Sequence, residues 1–287
     1  MTALDLVKLR ELMKLTSGRS EISVAMVDGP IAVSHTDLAG TSIRDVSADM
    51  RAQCLQTNSF ACVHGTFVAG ILSARRGSDA PAICPDCTLL VNPVFSETTT
   101  GNPASPSASP EALAAAILEC IDAGARVINL SLAVTRSSSK GERVLKLALD
   151  HAARRGVIVV AAAGNQGVIG GTVITNHPWV IAVAGCDAEG KPLNGSNLGH
   201  SIGLRGLRAP GEGVTSLGTN GRSLTLGGTS VAAPFVTGAV ALVWSQNPDA
   251  TGAQIRLAFQ YGHPRGRASA TPPLLDAWAA YERARAR

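Results

Sequence analysis

The chain has 287 residues, is 45% hydrophobic and 16% charged, and carries a formal charge of +4. This excludes a disordered composition and supplies a large core, while no run of about 18 apolar residues offers a membrane span. Aromatics are only 3%, so small aliphatics must build the core, as in a parallel sheet covered by helices on both faces. The modest charge, without aromatic–basic interleaving, argues against a nucleic-acid partner.

Residues 1–20 set Asp5, Lys8, Arg10, Glu11 and Lys14 among leucines at helical spacing. This reads as an amphipathic helix rather than a secretory signal, and the expected address is cytoplasmic. Short apolar runs then alternate with helical patterns, the mark of βαβ units. Expected strands are Ile22–Val27, Thr88–Val94, Ala125–Leu130, Val157–Ala162 and Val180–Ala184. Expected helices are Gly65–Arg75, Glu111–Ala123, Glu142–Arg155 and Ser230–Gln246. Glu97–Pro110 and Gly262–Pro273 read as surface loops. Asn220-Gly221 marks a tight hairpin within Val214–Leu226. The expected architecture is α/β: one domain over 1–287, three-layered, with a mostly parallel sheet and a closing loop and helix at 262–287.

Of the six cysteines, Cys120 and Cys186 lie in apolar helix and strand patterns and read as buried thiols. Cys84-Pro85-Asp86-Cys87 is a C-x-x-C pair, open to a local disulfide, zinc or free thiols. Zinc would need Cys54 and Cys62 as a second pair, at an atypical spacing.

Four blocks carry chemistry. Asp28 ends an apolar strand, where open α/β sheets place their ligands; it is equally placed to start a turn with Gly29-Pro30. His64, followed by Gly65, precedes a helical pattern and has an ordinary capping or surface reading. Ala161-Ala162-Ala163-Gly164-Asn165 ends another strand. Its asparagine is a turn residue or a side-chain donor to a developing oxyanion. Gly227-Gly228-Thr229-Ser230 opens a long apolar helix, where Ser230 is an N-cap or a nucleophile beside free backbone N–H groups. Together they supply a nucleophile, a base, its orienter and an oxyanion donor at the ends of strands and starts of helices.

These blocks, around Asp28, His64, Asn165 and Gly228–Pro234, resemble those of the subtilisin-like (S8) serine proteases, whose triad runs Asp…His…Ser along the chain. The resemblance covers about Ile22 to Trp244. It implies a serine endopeptidase with catalytic Asp28, His64 and Ser230 and an oxyanion hole completed by Asn165. It further implies that Ser131, Leu132 and Ala133 form an edge pairing with substrate backbone, faced by Ala162, Ala163 and Gly164 across the pocket for the residue before the scissile bond. Several features depart from the family pattern. Gly29-Pro30 replaces the usual small hydroxyl residue and removes a possible supporting hydrogen bond. Ala133 stands where glycine is common. Arg75-Arg76-Gly77-Ser78 replaces a calcium loop, so no metal or cofactor is expected. Only 27 residues precede Asp28, too few for a folding-assisting propeptide, so the chain is expected to fold unaided or to have lost a pro-segment. Val27-Asp28-Gly29-Pro30-Ile31, Pro85–Phe95 and Gly228–Pro234 are similar to the cyanobactin-maturation branch, which trims ribosomal precursor peptides. The expected partner is a peptide or protein substrate. The rival expectation is a catalytically silent peptide-binding module of the same fold.

Overall fold

The computed structural model describes residues 2–49, 51–97, 107–134, 139–260 and 269–286. Seven parallel strands form one sheet in the order Ile43–Asp45, Thr88–Pro93, Ser23–Asp28, Val127–Leu130, Ile158–Ala162, Ile181–Cys186 and Leu207–Pro210. The strands alternate sides with period two, and both sides are apolar. Val24 and Met26 join one core with Val127, Ile158 and Val160. Ala25 and Val27 join the opposite core with Ile128, Val159 and Ala161. Burial on both faces is what requires near-continuous apolar strands.

One face is covered by the helices Pro110–Asp122 and Ser139–Arg155, whose Leu113, Ile117, Leu145 and Leu149 fill the second core. The other is covered by Phe60–Ser73 and Thr229–Gln246. The latter is apolar all round and buried along nearly its whole length, as suits a central helix rather than a surface one.

All five expected strands form, with ends displaced by no more than two residues. The two edge strands, Ile43–Asp45 and Leu207–Pro210, are short and escaped the periodicity reading. The hairpin forms from Val214–Leu217 and Ser223–Leu226. Two expectations are corrected. Residues 1–20 hold two short helices, Ala3–Leu6 and Leu9–Leu15, because Lys8 between them takes a left-handed conformation (φ 53°); its Nζ lies 2.7 Å from Asp276. The helix expected at Gly65–Arg75 spans Phe60–Ser73, since the Ser59 hydroxyl caps it by accepting the Cys62 N–H at 3.1 Å. Most of the Glu97–Pro110 and Gly262–Pro273 loops lies outside the described residues.

Register fixes the functional edge. Val27 pairs with Leu130, and Leu130 with Ala161. The residues that follow, Asp28, Ser131 and Ala162, therefore end at one level at the carboxyl edge of the sheet.

Candidate active site

Asp28 is the last residue of its strand and is fully buried. The helix carrying His64 abuts it so closely that a Cβ on Gly29 would lie 2.0 Å from the Ala61 carbonyl oxygen. Only glycine fits after Asp28, which is why no hydroxyl side chain stands there. The consequence is visible at the carboxylate. Its Oδ1 accepts from the Gly29 N–H at 2.7 Å and lies 2.7 Å from His64 Nδ1. Its Oδ2 is buried without a partner among the described residues, and Pro30 has no N–H to offer.

His64 sits in the second turn of its helix rather than at the start, and is 3% exposed. A carboxylate only accepts, so Nδ1 carries the imidazole hydrogen and Nε2 presents a lone pair. Ser230 Oγ lies 3.1 Å from that Nε2 and donates to it. Phe60, one turn earlier, stacks on the imidazole with ring centres 5.9 Å apart and planes at 26°. The segment before Phe60 is tied down by Glu97, which accepts from the Leu55 and Gln56 N–H groups at 2.9 Å and from the Ser59 hydroxyl at 3.2 Å.

Ser230 is the second residue of the helix Thr229–Gln246, entered through Gly228 at φ 119°, a conformation that favours glycine. Pro234, four residues on, has no N–H for the Ser230 carbonyl. That carbonyl accepts instead from the Ser131 hydroxyl at 2.8 Å. The Asn129 amide donates to Ser131 Oγ at 2.8 Å and accepts from the Thr237 hydroxyl at 2.8 Å. A buried polar chain thus joins a central strand to the Ser230 backbone, and each member is satisfied.

The orientation of Asn165 is fixed by Thr229. The Thr229 hydroxyl accepts from the Gly164 N–H at 3.1 Å, so its own hydrogen goes to Asn165 Oδ1 at 3.0 Å. The Thr229 N–H donates to the same oxygen at 2.8 Å. With Oδ1 doubly engaged, the Asn165 Nδ2 hydrogens have no partner among the described residues, on a side chain that lines the same cleft as Ser230.

That cleft, about 280 Å³, is lined by Ser131, Leu132, Ala162, Gly164 and Asn165 with His64 and Ser230. Of the expected substrate contacts, Ala163 stands apart from its lining, while the side chain of Ala133 lies outside the described residues. Ala163 is buried against Ala182 and Ile202. Ala133–Val134 pairs in parallel with Ser107–Ala108, a short strand in what was expected to be loop. Sequence reasoning assigned no place in the lining to Phe60, Leu226, Gly227, Thr229 and Val231. A helix start at Ser59 would have exposed Phe60, since it then lies four residues before His64 on the same face.

Cys54 and Cys62 form a disulfide at the start of the His64 helix. Their sulfurs are therefore not thiolate ligands, although Glu97 lies beside them. Cys84 and Cys87 are free, buried thiols; Cys84 holds its proton more tightly than usual because it hydrogen-bonds to Cys87 and is buried. Burial pushes Cys120 to about 12 and Cys186 to about 11.

Comparison with known proteins agrees with this geometry. A thermostable alkaline protease of Halalkalibacterium halodurans is 36% identical over 194 residues, which are 67% of this chain and 50% of that protein, so the chain spans about half that relative's length. Subtilisin DY of Bacillus licheniformis is 31% identical over 245 residues, covering 83% of this chain and 81% of its own. The solved prenylagaramide maturation protease PagA superposes with a TM-score of 0.80 at 27% identity, over 96% of this chain and 98% of that one. The sequence profile of the Subtilase family (peptidase S8) matches residues 19–260, and the chain belongs to that family.

Proposed function

We propose that this protein is a serine endopeptidase that cleaves peptides through an acyl-enzyme on Ser230. The observation that carries the reading is the hydrogen-bonded line Asp28–His64–Ser230, with separations of 2.7 and 3.1 Å. His64 Nε2 takes the Ser230 proton as Oγ attacks the substrate carbonyl carbon. The oxyanion is held by the Ser230 backbone N–H and Asn165 Nδ2. Asp28 keeps Nδ1 protonated and offsets the charge of the imidazolium. His64 then gives the proton to the departing amine, whose C–N bond breaks. A water, deprotonated by His64, releases the acyl group. Apart from the substrate and that water, the groups that act in these steps are side chains and backbone of this chain.

Ser131, Leu132, Ala162 and Gly164 form the walls that receive the peptide. Similarity to PagA, a maturation protease, supports a precursor peptide as substrate. Among the described residues no helix is long and apolar enough to cross a membrane. The Cys54–Cys62 disulfide weighs against the expected cytoplasmic address, because the cytosol keeps most thiols reduced. The test is cleavage of an internally quenched peptide library by the protein and by its Ser230→Ala variant. Cleavage lost in the variant supports the proposal. Equal binding without cleavage by both would favour the silent peptide-binding module.

A further inference from the structure

The parallel sheet has a second edge, at the amino-terminal ends of its strands. There a basin of about 670 Å³ opens, with Arg126, Arg154 and Arg155 among its lining and the indoles of Trp179 and Trp244 in its walls. Among the described residues no aspartate or glutamate lines it. The three arginines are exposed, and none makes an ion pair among the described residues. Arg126 rests over Trp244, 5.1 Å from the ring centre. Trp244 is itself 1% exposed and anchored by its indole N–H to the Ala250 carbonyl at 2.9 Å. One guanidinium is therefore held in place before any ligand arrives.

Helix geometry explains part of this charge. Arg154 and Arg155 close the helix Ser139–Arg155, where cations answer the negative end of the dipole. Arg126 has no such reason, since it sits at the start of the strand Val127–Leu130. Three like charges around one concavity repel each other, and apolar walls strengthen any contact with an anion. Guanidinium forks match carboxylates in geometry as well as charge.

We propose that this basin docks an acidic segment of the peptide substrate, with side-chain carboxylates received by Arg126, Arg154 and Arg155. The proposal rests on the peptidase reading, which supplies the peptide. Arg126 and Ser131 are separated by one strand, about 16 Å at 3.3 Å per residue. A peptide engaging both edges must pass around the molecule, which takes on the order of ten extended residues. Arg256 lies over the Trp179 ring, 5.0 Å from its centre, and extends the basic surface by one residue; four guanidinium groups are still too local to track a nucleic-acid backbone.

The test measures binding apart from cleavage. Fluorescein-labelled hexaglutamate is titrated into the Ser230→Ala protein at low salt, and anisotropy is followed. Saturable binding is expected, weakening as salt rises and falling about tenfold or more in the added triple variant R126A/R154A/R155A. The same triple change in the otherwise unaltered protein should leave cleavage of a short neutral peptide unchanged. Failure of binding with cleavage intact overturns the docking site alone, whereas loss of cleavage by the unaltered protein indicts the peptidase reading. Binding that is absent, or unchanged in the triple variant, overturns the proposal. So does displacement of hexaglutamate by a short oligothymidylate at lower concentration, which would make the basin a phosphate-polymer site. If the triple variant does not melt cooperatively, the single change R154E at an exposed helix end carries the test, with the same weakening expected and no change overturning it.

Discussion

At the residue scale the site depends on hydrogen bonds that leave one atom free where a charge develops. Asn165 illustrates this: Thr229 engages its oxygen twice, and in the proposed mechanism the amide hydrogens serve the oxyanion. Asn165→Ala is expected to lower kcat by about 10²–10³ with little change in KM. Thr229→Val keeps the backbone donor and loses only the hydroxyl, so a loss of about five- to tenfold is expected. Steady-state kinetics on one peptide separate the two. Asn165, Asp28, His64 and Ser230 were legible in the sequence because each ends a strand or lies near a helix start in a recognisable block. Thr229 was not singled out, because its part is to orient another side chain across 64 positions of chain, and no local pattern encodes that.

At the element scale, two close fits bring the machinery together. The strand ending in Asp28 meets the His64 helix through Gly29, whose Cβ would strike the Ala61 carbonyl. Gly29→Ser, which would restore the hydroxyl of the family pattern, is therefore expected to destabilise rather than help. Overpacking of this kind costs about 1–3 kcal/mol, and a fall in Tm of about 5 °C measured by calorimetry would match it. The second fit is at Pro234, which frees the Ser230 carbonyl for Ser131. Ser131→Ala leaves that carbonyl and the Asn129 amide short of a partner, at a cost of about 1–3 kcal/mol. Urea unfolding should show the loss, and kcat should fall with it as the nucleophile's backbone loosens. The sequence placed the central strands well because their apolar runs are long. It placed the His64 helix five residues late because Gly65 reads as a start, whereas the Ser59 cap outweighs it. The break at Lys8 was invisible for the opposite reason: the leucine spacing continues through a residue whose backbone turns left-handed.

At the scale of the whole molecule, a doubly covered parallel sheet separates chemistry from support. The carboxyl edge gathers Asp28, Ser131 and Ala162, and the far edge gathers the arginine basin. The low aromatic content announced this architecture, since small side chains let helices lie close on both faces. Cysteine pairing was not legible, because Cys54 and Cys62 meet only once the Ser59 cap starts the helix. Denatured without reductant, the protein is expected to titrate four thiols, and six after reduction. In the native state at pH 8, Cys120 and Cys186 should resist alkylation, since burial raises them to about 12 and 11 and leaves them protonated.

The central claim is that Asp28, His64 and Ser230 form a working acyl-transfer site, and a fluorophosphonate tests it most directly. Mass spectrometry of the treated protein should show one adduct on Ser230, absent in Ser230→Ala and strongly slowed in His64→Ala. A folded protein that gives no adduct, or one on another residue, would contradict the account.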